Sequence, residues 1–81
     1  MDEKLFTLSD LEVWKRGDRY FARYDAGAHQ IAMREDEISA EEANQAIQSE
    51  EAALKMLSSL QLRLIQAGVD PYIANYVPNK D

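Results

Sequence analysis

The sequence predicts a single α+β domain, a small and mainly antiparallel sheet in the order β-β-β-α-β with one long helix packed on one face. Three observations predict it. Residues 39–67 carry a helix start, a helix stop and one apolar stripe. Residues 11–25 alternate with the period of a hairpin, and Gly17-Asp18 interrupts the alternation where a turn belongs. An antiparallel sheet covered on one face by the helix then buries both apolar surfaces.

The helix is the best specified element. Ser39-Ala40-Glu41-Glu42 is a capping box, in which the Ser39 hydroxyl accepts from the Glu42 N–H and the Glu42 carboxylate reaches back to the Ser39 N–H. Ala67-Gly68 supplies the stop, and Pro71 follows where a helix cannot continue. Acids crowd the N-terminal half and Lys55 and Arg63 lie in the C-terminal half, matching the helix dipole. Ala43, Ala46, Ile47, Ala53, Leu54, Leu57, Leu60, Leu64 and Ile65 fall within an arc of about 140°, the width of a core-facing stripe. Glu50 lies inside that arc. Ser49-Glu50-Glu51-Ala52 is itself a second N-cap signal, so a kink near Ser49 that frees Glu50 to solvent is the alternative to a continuous helix. Met56 and Leu62 fall off the stripe on opposite flanks.

Strands are expected at about 11–16, 19–25, 29–35 and 72–77. In the second, Tyr20, Ala22 and Tyr24 share one face, and Phe21, Arg23 and Asp25 the other. Asp25-Ala26-Gly27 turns the chain into the third, with Ile31 and Met33 inward and Arg34 outward. The fourth follows from aromatic and β-branched content and ends at Pro78. Over residues 1–10 a short turn at 7–10 and an edge strand at 5–8 are both open. The expected core is Val13, Tyr20, Ala22, Ile31, Met33, Ile47, Leu54, Leu57, Leu60, Leu64 and Ile73.

Composition removes whole classes of function. With 46% apolar residues the chain is not wholly disordered, and with no cysteine it has neither disulfide nor thiolate chemistry. One histidine and three glycines leave no general-base constellation, zinc set or phosphate-cradling loop. No enzyme activity, cofactor or metal is expected. The first residues lack a signal peptide's basic and apolar regions, and no run approaches a membrane span, so a soluble cytoplasmic protein is expected. The small acidic form is one shared by many bacterial and phage accessory proteins, an association of size and charge alone. A domain of this size often gains stability by pairing with a second copy.

The net charge of −6 is unevenly spread. Lys15, Arg16, Arg19 and Arg23 cluster in the hairpin, while residues 35–51 hold seven acids and no base. Two binding readings follow. Glu35, Asp36, Glu37, Glu41 and Glu42, with off-stripe Met56 and Leu62, would form the surface of a non-enzymatic protein-binding module, an accessory factor or inhibitor with a basic protein or a second copy as partner. The alternative is nucleic-acid binding, with Trp14, Lys15, Arg16, Arg19 and Arg23 as a stacking and phosphate face, or residues 35–51 as an acidic mimic of a phosphate backbone. The overall negative charge weighs against phosphate binding. Arg16-Gly17-Asp18 spells an adhesion tripeptide, but Gly-Asp is ordinary turn chemistry. Glu35-Asp36-Glu37 lacks the alternating acids and central glycine of a calcium loop.

Overall fold

The computed structural model describes residues 2–8, 11–26 and 32–75. Four strands, β1 (Asp2–Leu8), β2 (Leu11–Arg16), β3 (Arg19–Asp25) and β4 (Met33–Ile38), precede two helices, α1 (Ala40–Ala46) and α2 (Glu50–Gln66). The strands form one antiparallel meander in the order β1-β2-β3-β4. The class is α+β, but the order is β-β-β-β-α-α rather than β-β-β-α-β.

The β2–β3 hairpin forms where its alternation places it, with Arg16 paired to Arg19 across a two-residue turn. Gly17 sits there at φ +62°, which a glycine adopts without penalty and which the twist of a two-residue hairpin requires. A regular strand pairing also holds residues 2–8, so the edge strand extends further than 5–8. It carries a bulge between Lys4 and Phe6. The third expected strand lies later in the chain, at Met33–Ile38 instead of 29–35. Its predicted starting residues, His29 and the expected core residue Ile31, lie outside the described residues. At its start Ala26 N–H donates to Ala32 O at 2.8 Å and Ala32 N–H to Asp25 Oδ1 at 2.9 Å, closing the connection from β3.

The helix predicted over 39–67 is two helices. Ser39 caps α1 with both halves of the capping box, Glu42 N–H donating to Ser39 Oγ at 3.0 Å and Ser39 N–H to Glu42 Oε1 at 2.9 Å. Ser49 caps α2 by accepting from Ala52 N–H at 3.0 Å, and Glu50 is exposed. A serine with a free hydroxyl and extended backbone offers the new helix its first acceptor, which is why the break falls there. At the far end Val69 N–H donates to Leu64 O and Gly68 N–H to Ile65 O, with Gly68 at φ +83°. That paired arrangement is the Schellman stop.

Residues 72–75 are not a strand. Residues 76 and 77 of the expected 72–77 lie outside the described residues. Instead, among the described residues, Asn75 makes the one main-chain to main-chain bond to β4, its N–H donating to Met33 O at 3.0 Å. Pro71 is buried beside this segment, while Tyr72 and Ile73 are exposed.

The core lies between one sheet face and the helices. Leu11, Val13, Ala22, Tyr24 and Ile38 meet Ala43 and Ala46 of α1 and Ala53, Met56 and Leu60 of α2. Three alanines on the helices let their backbones approach the sheet closely. Leu57, Leu64 and Tyr20 pack against this cluster but are only partly buried. Met33, expected inward, pairs with Asp25 on the opposite sheet face, and Arg34, expected outward, pairs with Tyr24 on the core face, because the acids of β4 and not its apolar residues set its phase. Ile47, Leu54 and Ile73, expected inside, are exposed, and Met56, expected outside, is fully buried. The reason is one rotation. Once the chain breaks at Ser49, α2 no longer shares the phase of α1. Its buried side then turns by roughly 60° relative to the single-helix stripe, taking in Met56 and releasing Leu54 and Ile65.

Met56→Ala should therefore cost about 2–5 kcal/mol, as a buried side chain truncated in a packed core. Leu54→Ala should stay within about 0.5 kcal/mol. Urea unfolding of the two variants checks the assignment, and a larger loss at Leu54 than at Met56 would reverse it.

Candidate functional site

Directly paired strand residues share a sheet face, so the register sorts every candidate side chain. Val13, Lys15, Tyr20, Ala22 and Tyr24 face the helices, and so do Arg34, Asp36 and Ile38 of β4. Lys4, Glu12, Trp14, Arg16, Arg19, Phe21, Arg23, Glu35 and Glu37 occupy the opposite face. The five residues of the alternative nucleic-acid face are thus not one surface. Lys15 lies on the helix side, with its ammonium 5.8 Å from the Tyr20 ring centre.

On the open face the cations are already engaged. Arg16 makes a two-pronged contact with Glu35, both bonds at 2.6 Å, and Arg23 donates to the same carboxylate at 3.0 and 3.1 Å. Arg19 pairs with Glu37 in the same two-pronged way. Lys4 and Arg23 flank Glu12, and Asp2 lies 3.3 Å from Arg16 Nε, though not aligned for a hydrogen bond. Both aromatic rings on this face are covered. Arg16 stands 4.7 Å from the Phe21 centroid and Arg19 5.6 Å, and Arg23 and Lys4 lie 4.7 and 5.6 Å from that of Trp14. Four cations therefore face four carboxylates, Asp2, Glu12, Glu35 and Glu37. A phosphate backbone would have to displace an acid from each arginine, and a base would have to displace a guanidinium from each ring.

Four acids of the segment, Glu35, Asp36, Glu37 and Glu42, are held by arginines of the same chain. Besides Glu35 and Glu37, Asp36 takes two bonds from Arg34 at 3.0 and 3.1 Å and one from the Tyr24 hydroxyl at 3.1 Å. Glu42 accepts from Arg63 at 3.0 Å as well as from Ser39. Glu41 is exposed on the first turn of α1. What reads as a dipolar sequence, basic hairpin then acidic run, is one folded surface, because β4 lies beside β3. Of the two apolar partner candidates, Leu62 is 56% exposed, but Met56 is a core residue and cannot touch a partner.

These pairings set the titration behaviour. The Trp14 indole N–H, with Lys4 and Arg23 adding to it against the opposing effect of burial, holds Glu12 below its ordinary value. Arg19 does the same for Glu37. At Glu42 burial pushes the other way and is outweighed by the Ser39 N–H and Arg63. Burial, reinforced by Asp36, pushes the Tyr24 phenol up to about 12.

Sequence reasoning missed Arg34. It is 4% exposed and joins Asp36 to the main chain of the C-terminal segment, donating to Asp70 O at 3.1 Å and Ile73 O at 2.6 Å. The run of charges at 34–37 hides which of them face inward, and no apolar alternation marks the phase. Leu54 and Ile65 were missed as surface residues for the reason given above, and the second N-cap at Ser49 was the signal for them. Beside Leu54 an open depression is lined by Gln45, Glu51, Lys55, Ser58 and Ser59. Lys55 there bridges Glu51 at 3.4 Å, and the remaining groups are neutral. No group of three or more His, Cys, Asp or Glu suited to a metal ion occurs among the described residues, and no helix there is long and apolar enough to cross a membrane. Compared with protein-family models, with curated proteins and with solved structures, the chain matches none.

Stability should fall on both sides of neutrality. Glu12, Glu37 and Glu42 have folded values below their unfolded ones, so their contribution is complete above about pH 4.3 and is lost as pH falls through the folded values. Tyr24 is raised, so its contribution is complete below about pH 10 and is lost as pH rises towards 12. Urea midpoints measured from pH 3 to 12 check this. Glu42→Gln should flatten the acid limb, and Tyr24→Phe the alkaline one.

Proposed function

We propose that this chain is a small non-enzymatic protein-binding module, an accessory factor or inhibitor, whose contact surface is the outer side of its helical layer. One observation carries the reading. Every exposed large hydrophobic among the described residues falls between positions 47 and 73: Ile47, Leu54, Leu62, Ile65, Val69, Tyr72 and Ile73. The sheet's open face carries none of them, its rings being covered by cations. Solvated single apolar residues are ordinary, but Ile47, Leu54, Leu62 and Ile65 lie on or cap the helices, and that concentration is the pattern of a partner surface. Leu54, Ser58, Gln61 and Ile65 follow one another at spacings of four, three and four, the seam by which a helix packs on another helix. Leu62 flanks that seam, and Glu41 lies outside the ion pairs described above.

This moves the surface away from the acidic run. Glu35, Asp36, Glu37 and Glu42 each hold an arginine of the same chain, which leaves them little to offer a basic partner. The same pairing weighs against nucleic-acid binding through the hairpin. A second copy of the chain is one partner compatible with the helical seam, and light scattering at micromolar concentration addresses it directly.

Leu54→Glu combined with Ile65→Glu should leave the melting temperature nearly unchanged, because both positions are solvated. It should reduce partner recovery in a pull-down by tenfold or more, since a buried anchor is worth over about 1 kcal/mol. Glu41→Lys should change recovery chiefly through its salt dependence. Equal recovery from wild type and the Leu54/Ile65 variant would reject the helical surface. Salt-sensitive micromolar binding of single-stranded DNA or RNA, lost in Arg19→Ala/Arg23→Ala, would reject the reading as a whole.

A further inference from the structure

We propose that the outer edge of β4 is a strand acceptor for β1 of a second copy, kept closed by residues 70–75 acting as a one-residue surrogate strand. The topology supplies the first half of the argument. In a four-stranded meander the two edge strands run antiparallel to each other. A second sheet translated alongside the first therefore brings its β1 next to β4 in the same antiparallel sense that joins every other neighbour. Such a contact is head-to-tail, leaves one free edge of each kind at the ends, and does not close.

The two edges are treated differently. On β4 four outward main-chain groups are taken, Met33 O, Glu35 N–H, Glu35 O and Glu37 O. Asn75 N–H donates to Met33 O at 3.0 Å, Glu35 N–H donates to Asn75 Oδ1 at 2.7 Å, and Asn75 Nδ2 donates to Glu35 O at 3.3 Å. The side-chain amide thus presents the donor and acceptor that a neighbouring peptide group would present. Further along, Arg63 Nη2 donates to Glu37 O at 3.3 Å. On the outer edge of β1 the described residues place no such partner.

The surrogate is held by exchangeable bonds. Arg34 grips Asp70 O and Ile73 O, and Pro71 is buried, but Tyr72 to Asn75 are exposed and add little apolar burial. An incoming strand would replace the three Asn75 bonds to the β4 main chain with bonds of the same kind, and only the Asn75 Nδ2 bond to Asp36 Oδ1 would be given up. Charge selects the occupant. A second β4 would set Glu35 and Glu37 against the same acids, whereas β1 brings Asp2, Lys4 and Thr7 to that face, with no net charge and one cation, its Leu5 and Phe6 staying packed against the core. Edge strands left unguarded pair in this way, and here one guarded edge is enough to stop growth in a sheet that has two.

The test is the mass of the full chain as a function of concentration, read with hydrogen exchange at the Glu35 amide. Asn75→Ala should remain folded, speed exchange at Glu35 by tenfold or more, and raise the weight-average mass progressively from about 10 to 500 µM, without a plateau at the dimer. A blocked peptide of residues 2–8, added in excess, should suppress that rise by occupying the opened edge. Asn75→Asp keeps the acceptor for Glu35 N–H and loses the donor, and should give smaller changes in both readouts. The same results in a Leu54→Glu background keep this contact distinct from any pairing through α2. Faster exchange with an unchanged mass would overturn the proposal, as would a rise in mass indifferent to the peptide, and so would an Asn75→Ala chain no different from wild type in either measurement.

Discussion

The arrangement depends on how β4 is seated, and charge rather than apolar burial seats it. Met33–Ile38 contributes one fully buried hydrophobic, Ile38. Its phase is fixed by where its acids find arginines: Glu35 and Glu37 on the open face with Arg16, Arg23 and Arg19, and Asp36 on the helix face with Arg34. A slip of one residue would turn Glu35 and Glu37 into the core and take from Arg16, Arg19 and Arg23 the carboxylates that β4 supplies. The pairs differ in weight. Arg19 and Glu37 are largely solvated and contribute little, as exposed pairs do. Arg34 and Asp36 are nearly dry, so removing either side strands a charge, at a cost of about 3–5 kcal/mol for a buried pair broken on one side.

Desolvating that inner pair is unfavourable, and its hydrogen-bond inventory is what offsets the penalty. The Asp36 carboxylate accepts from Arg34 twice, from Tyr24 and from Asn75, and Arg34 Nη1 donates to two main-chain carbonyls. A buried network satisfied to this degree holds one geometry and few others. It also couples sheet to C-terminus, since the residues that orient β4 are those that anchor residues 70–75.

Much of this was legible in the sequence, and the failures have physical causes. The hairpin was readable because Leu11, Val13, Ala22 and Tyr24 alternate cleanly around a glycine turn. Both helix starts were readable because Ser39 and Ser49 are caps with acids behind them. The helix face was misread because two helices were treated as one stripe. The candidate site was misread for a different reason. Sequence order separates the basic residues 15–23 from the acidic residues 35–42, and that separation resembles two surfaces awaiting partners. Antiparallel pairing of β3 with β4 folds each onto the other. Asn75 gave no signal, because a single amide that stands in for a strand has no period to detect.

Trp14 is the chain's one tryptophan, and it lies on the open face of the sheet, its indole N–H bonded to Glu12 and its ring beneath Arg23 and Lys4. Its emission is therefore governed by nearby charges and reports on the side of the molecule away from the helices. A ligand spreading over the sheet would disturb those cations and change the fluorescence. A protein seated on α2 would leave the spectrum as it is, so the intrinsic optical signal of this chain distinguishes one side of the molecule from the other without a label.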